Sequence, residues 1–291
     1  MRVLVLGASG MLGSAVFRLL IARGYEVAGT IRSSSVANYF PAPTQKNLIS
    51  NLDVLNLSTL IRLFQQVKPD VVINCIGLIK QFSSSNDPQE ALPINALLPH
   101  QLADLCEIAG ARLVQISTDC VFKGNKGNYT EDDLSDATDL YGQSKYMGEV
   151  CDRDCAVTLR TSIIGHGLTP NPSLIDWFLS QRGEVRGFSK AIFSGLPTIE
   201  LANVIERHVL QCSELRGLYH VSVEPIDKLR LLQIVNQVYD AGLKINLDDS
   251  LVIDRSLNST KFRESTGYTP PDWETLVLQM YQDHLNFKEQ T

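Results

Sequence analysis

Short apolar runs alternate with helix-spaced apolar positions through the first half of the chain. Val3-Leu4-Val5-Leu6 is a continuous apolar run, and in Met11–Ala22 the residues Leu12, Ala15, Val16, Leu19 and Leu20 fall at helical spacing. The same alternation predicts strands over 26–31, 71–76, 111–117 and 156–162, and helices over 57–67, 97–109 and 141–151. Gly110 marks the stop of the 97–109 helix. Residues 71–76 are apolar without alternation, as expected of a strand covered on both faces. Strand-helix-strand repetition of this kind predicts an α/β fold, a Rossmann-type doubly wound parallel sheet.

The pattern changes after Gly165. The 166–172 stretch, with Gly167, Pro170 and Pro172, reads as a loop. Beyond it, helices over 174–181, 200–211, 228–239 and 273–287 mix with short strands, and Trp177 and Phe178 read as helix core. No flexible linker separates the portions. The division expected is residues 1–165 and a smaller α/β lobe, 166–291, packed on them, with the chain free to cross back between the two.

Composition narrows the function. The 291 residues are 44% hydrophobic, enough for a sizeable core. A net charge of -6 argues against a nucleic-acid partner, which needs clustered Lys and Arg. Apolar runs stay short of the roughly 18 residues of a membrane span, and the first stops at Gly7, short of a signal segment. A cytoplasmic protein with reduced thiols is expected from this, and the six cysteines lack metal-ligand spacing.

Gly7-Ala8-Ser9-Gly10-Met11-Leu12-Gly13 spells G-x-x-G-x-x-G between the first strand and first helix. Glycine permits a tight turn and close backbone approach to a pyrophosphate, while the helix N–H groups attract the anion. Residues 1–165 are therefore read as an NAD(P)-binding domain. The second strand is followed by Arg32-Ser33-Ser34-Ser35 rather than the acid usual for NAD. Arg32 can pair with a 2′-phosphate, which favours NADPH with NADH possible; it also reads as a solvated loop residue. Asp53 and Val54 are placed near the adenine. Asn74, Cys75, Ile76 and Gly77 close the fourth strand at the sheet edge where ligands bind, or simply make a turn.

Thr118 ends the fifth strand, and Tyr141-Gly142-Gln143-Ser144-Lys145 follows as Y-x-x-x-K. Four residues apart on a helix, Tyr141 and Lys145 share a face. An ammonium beside a phenol is expected to lower the phenol pKa, so that Tyr141 exchanges a proton near neutral pH. Lys145 can also bind cofactor ribose hydroxyls, and Thr118 can hydrogen-bond the substrate oxygen. Singly these signals are weak; in this order, after a glycine loop, they are hard to obtain by accident.

These motifs resemble the extended short-chain dehydrogenase/reductase superfamily, and within it the dTDP-4-dehydrorhamnose reductase family. The matching segments are 7–13, 71–77, 116–124 (I-S-T-D-C-V-F-K-G), 141–145, 160–162, 195–198 and 254–257. The resemblance implies a small carboxyl-terminal substrate lobe and reduction of a 4-keto group on a nucleotide-linked deoxysugar. It also implies Thr118, Tyr141 and Lys145 as the catalytic triad, Asn95 as a lesser contact, and 160–162 near the nicotinamide. Cys120 stands where the family commonly has Tyr, and Ile163 where it often has an aromatic residue, so the exact sugar is open. Substrate contacts are expected from Lys80, Thr118, Asp119, Cys120 and Arg255, with Gln81 nearby and Arg255 as the diphosphate fork. An epimerase and a non-catalytic NAD(P)-binding regulatory subunit stay as alternatives. Superfamily analogy suggests a homodimer through the 97–109 and 141–151 helices.

Overall fold

The computed structural model describes residues 1–78, 86–168 and 173–290. The chain opens with β1 (Arg2–Leu6), α1 (Met11–Ala22), β2 (Glu26–Thr30), the short α2 (Ala42–Gln45) and β3 (Leu48–Ile49). Next come α3 (Leu57–Val67), β4 (Val71–Asn74), α4 (Pro88–Ala91), a π-helical turn over Leu92–Leu97, α5 (Leu98–Ala109) and β5 (Arg112–Thr118). Then α6 (Leu140–Met147) leads to β6 (Ala156–Thr161). β1 pairs in parallel with both β2 and β4, and β4, β5 and β6 continue the parallel ladder. The strand order reverses at β1, so a crevice opens above the carboxyl ends of β1 and β4, the ligand edge of such sheets.

Period-two alternation divides the core between the two faces. Val3 and Val5 join the cluster under α1, whereas Leu4 and Leu6 join the one under α3 and α5. All four are fully buried, which is why the strand reads as an unbroken apolar run.

The later chain comprises β7 (Ile163–Ile164), α7 (Leu174–Ser180), β8 (Glu184–Phe188), β9 (Ala191–Phe193), β10 (Leu196–Pro197) and α8 (Thr198–Val204). It continues with β11 (Gly217–His220), β12 (Ile226–Asp227), α9 (Lys228–Val238), β13 (Lys244–Asp248), β14 (Ile253–Asp254), α10 (Thr260–Thr266) and α11 (Trp273–Gln290). β11 returns to pair with β6 and completes a seven-stranded sheet in the order 11-6-5-4-1-2-3. β8 with β13, and β9 with β12 and β14, form small sheets above the carboxyl edge. Arg18 of α1 grips Asp283 of α11 through two bonds of 3.0 and 2.8 Å, tying the last helix to the first. No helix among the described residues is long and apolar enough to cross a membrane.

Two differences from the sequence expectation bear on the site. The helix expected over 141–151 stops at Met147, because Gly148 passes against the π-helical turn: a Cβ there would lie 1.9 Å from the Asn95 carbonyl oxygen. Trp177, expected in the core beside Phe178, is 40% exposed, while Phe178 is fully buried. α7 thus turns Phe178 inward and Trp177 toward the crevice.

Candidate active site

The glycine loop is shaped by close backbone approach. Gly7 has φ +78°, and a Cβ on Gly13 would lie 2.1 Å from the Gly7 carbonyl oxygen. Gly7 donates to the Thr30 hydroxyl at 3.1 Å and packs on Ile76, which pins the loop between β2 and β4. Gly10 is the N-cap of the twelve-residue α1 and supplies no side-chain cap, so the N–H groups of the first turn are turned to the crevice. Gly10 is exposed, Ser9 and Met11 are half-buried, and Leu12 is in the core. A loop whose glycines leave the helix N-terminus clear fits a dinucleotide pyrophosphate.

The flanking candidates fall around this loop. Arg32 is exposed just after β2, and the Ser33 hydroxyl accepts from Ser35 to start the next turn. Asp53 is exposed and accepts from the Leu55 N–H at 3.0 Å, while Val54 packs on the α3-side core. Cys75, Ile76 and Gly77 are half-buried at the end of β4, and burial pushes the Cys75 thiol up to about 12. Asn74 is fully buried, held by Gln115 at 2.8 Å. Lys80 and Gln81 lie outside the described residues.

Thr118, Tyr141 and Lys145 come together at the end of β5. Asp139 caps α6 by accepting from Gly142 at 2.9 Å, and Gly142 lets the helix start lie on Cys120, where a Cβ would be 2.3 Å from its carbonyl oxygen. Tyr141 is half-buried beside Thr118, whose hydroxyl donates to Asp119 Oδ1 at 3.2 Å and accepts from the Cys120 N–H at 3.1 Å. Lys145 is buried and its Nζ donates to the Ile116 carbonyl at 2.8 Å. Asn95, on the π-helical turn, bonds Ser144 at 3.2 Å and sits over Gly77 close to the Lys145 ammonium.

The electrostatics correct one expectation. Burial raises the Tyr141 phenol above its ordinary value, the neighbouring Cys120 and Asp119 add to this, and Thr118 opposes it. Lys145 is aimed at the Ile116 carbonyl, and burial lowers its own value to about 8. Tyr141 is therefore a neutral O–H donor rather than an acidified phenol. That suits protonation of an oxygen that gains negative charge.

A crevice of about 410 Å³ opens beside this group, lined among others by Asp119, Cys120, Ser162, Trp177, Arg186, Lys228 and Arg255. Arg255 donates through Nε to the Phe122 carbonyl at 2.7 Å and through Nη1 to the Cys120 sulfur at 3.7 Å. Burial raises Asp119, against the pull of Arg255 and Lys228. Burial also pushes the Cys120 thiol up to about 12, away from a nucleophilic thiolate. Lys228 stands 4.1 Å from the Phe193 ring centroid and is lowered by burial to about 8.

Sequence reasoning missed Lys228 and Arg186. A signal for Lys228 existed: a lysine in the first helical position, after the cap Asp227, opposes the helix dipole, and such a broken local rule often marks function. Arg160 is turned away from the crevice lining. Its guanidinium is taken up by a buried ion pair with Glu149 at 2.7 Å, and of the triplet 160–162 it is Ser162 that lines the crevice.

Residues 1–226 match the family model described as RmlD substrate binding domain. The chain belongs to this family. Similar curated proteins include the probable low-salt glycan biosynthesis reductase Agl14 of Haloferax volcanii, 32% identical over 55% of this chain and 52% of that one. The spore coat polysaccharide biosynthesis protein SpsK of Bacillus subtilis is 30% identical over 76% of this chain and 73% of its own. Against Agl14, the chain spans about half the length of the relative. A solved dTDP-4-dehydrorhamnose reductase from Bacillus anthracis, in complex with NADP, superposes with a TM-score of 0.80 at 21% identity, covering 97% of this chain and 99% of that one. The likeness in fold thus extends over nearly the whole chain, beyond the residues that the family model matches.

Proposed function

We propose that the protein reduces the keto group of a nucleotide-diphospho-4-keto-6-deoxysugar with NADPH. The observation that carries this reading is the meeting of Thr118, Tyr141 and Lys145 between the clear glycine loop and a crevice holding three cations and Trp177. Membership of the RmlD substrate binding domain family supports it, as do relatives named for glycan, coat-polysaccharide and dehydrorhamnose chemistry.

Bound NADPH supplies a hydride to the ketone carbon. Tyr141 gives its hydroxyl proton to the ketone oxygen, so the C=O becomes CH–OH. Thr118, beside Tyr141, orients that oxygen. Lys145 binds the nicotinamide ribose hydroxyls and offsets charge as Tyr141 loses its proton. The N–H groups at Met11 and Leu12 hold the pyrophosphate, with Ser9 and Gly10 at its side. Arg32 and the serines after it take the 2′-phosphate, with Asp53, Val54 and the 75–77 segment around the rest of the dinucleotide. Arg255 and Lys228 bind the substrate diphosphate, Asp119 and Cys120 face the sugar, and Trp177 stacks on the base. Leu97, Ile108 and Met147, exposed on and beside α5 and α6, support a homodimer through those helices.

The Tyr141→Phe variant tests the acid role. Turnover is expected to fall about 10²–10⁴-fold, the usual contribution of one general acid, with NADPH affinity retained. Near-normal turnover contradicts the role. Arg32→Ala tests cofactor choice: the KM for NADPH is expected to rise about tenfold, the equivalent of one charge-assisted bond, while that for NADH stays put. Equal effects on both cofactors contradict 2′-phosphate recognition.

A further inference from the structure

We infer that Glu149 is a positioning residue of the catalytic helix, which with Arg160 clamps the chain after α6 to the end of β5, next to the anchor of Lys145. The inference rests on the reading above for what Lys145 does. Tyr141, Lys145 and Glu149 follow at four-residue spacing, on α6 and the turn that continues it. Lys145 Nζ donates to the Ile116 carbonyl at 2.8 Å, and the Ser117 hydroxyl donates to Glu149 Oε1 at 2.7 Å. Two successive residues of β5, directly before Thr118, are thus fastened to two successive turns of chain. Arg160 closes the arrangement from β6: its Nε and Nη2 donate to the two carboxylate oxygens of Glu149, each at 2.7 Å.

Both partners of the ion pair are 3% exposed. A buried pair of this kind contributes little net stability, since apolar residues of equal volume serve as well or better. Its place beside Lys145 gives it a role that apolar residues do not fill. The groups facing Lys145 are the Cys75 thiol at the end of β4 and Glu149; β5 offers a carbonyl and a hydroxyl, and the π-helical turn offers the Asn95 amide. Burial drives the ammonium toward its neutral form, and Glu149 resists this most. Glu149 in turn faces Arg160, Ser117 and the Cys151 thiol. Behind Arg160, His220 Nε2 lies 3.3 Å from the guanidinium, and burial with that cation lowers His220 to about 3. His220 is therefore neutral at physiological pH and leaves the charge balance to Arg160 and Glu149.

The test is the titration of Lys145 in the full-length protein, followed by NMR of ¹³C-labelled lysine Cε with Lys145→Met for assignment. In Glu149→Gln the midpoint is expected to move to lower pH by about one unit, the effect of losing one nearby opposite charge. Glu149→Asp, which keeps the charge, is expected to restore most of it. The double variant Glu149→Gln/Arg160→Met leaves no unpaired guanidinium if the single variant fails to fold, and it is expected to show an acid shift of the same sign but smaller, because the more distant Arg160 charge is lost with it. Ser117→Ala is expected to leave the titration in place. With a keto-sugar substrate, the alkaline limb of the kcat–pH profile should move with the midpoint while KM changes little. An unmoved Lys145 midpoint in the folded Glu149→Gln or double variant overturns the inference. Absence of turnover in the unmodified protein contradicts the proposed reaction instead, and the titration still reads the clamp.

Discussion

An ammonium taken out of water loses solvation that fixed dipoles must replace, and Lys145 has the Ile116 carbonyl at 2.8 Å and Glu149 beyond it. Its folded value of about 8 lies below the ordinary 10.5. Between those values the unfolded chain binds more protons than the folded one, so stability from this group rises as pH increases from about 8 toward 10.5 and is lowest below that window. Lys145→Met removes the buried charge. It is expected to raise unfolding stability at pH 7 by about 2 kcal/mol, a discount on the few-unit shift for the carbonyl left unbonded. The gain should shrink as pH rises through the window. Urea melts at several pH values check this; a gain independent of pH contradicts the assignment. Tyr141, Lys145 and Thr118 were legible in the sequence because a helix face and a strand end fix them locally. The state of Tyr141 was not, because it depends on burial, on the neighbouring Cys120 and Asp119, and on where Lys145 points.

At the scale of elements, the glycine loop depends on backbone contact. A Cβ on Gly13 would meet the Gly7 carbonyl at 2.1 Å and cannot be relieved by a rotamer change. Gly13→Ala is expected to cost about 1–3 kcal/mol through overpacking. It should also raise the NADPH Kd about tenfold or more as a phosphate bond is lost, read by calorimetry beside a thermal melt. Unchanged affinity contradicts the cradle. The strands and helices of the first half followed from apolar runs and 3.6-residue spacing because both faces of the sheet are covered. The end of α6 did not, since Gly148 halts it against the Asn95 carbonyl, a contact between distant segments. Trp177 likewise escaped the sequence reading: an aromatic at helical spacing beside Phe178 gives no sign that a crevice lies on its side of α7.

Across the whole molecule, the crevice is built from the turn after β5, α7, β8, β9, α9 and the segment at Arg255, which no local pattern joins. Its two tryptophan environments give an optical handle. Trp273 is 7% exposed and donates to the Glu224 carbonyl at 2.7 Å, whereas Trp177 faces the crevice. A nucleoside diphosphate is expected to quench the emission of Trp177, and Trp177→Phe to abolish the change. The most direct trial of the account is NADPH consumption with a panel of nucleotide-linked sugars, with products resolved by mass spectrometry. The account predicts that a 4-keto-6-deoxysugar nucleotide gains two hydrogens for each NADPH oxidised, and that Tyr141→Phe loses this. Oxidation of NADPH by none of the panel, or a product of unchanged mass and inverted stereochemistry, contradicts it.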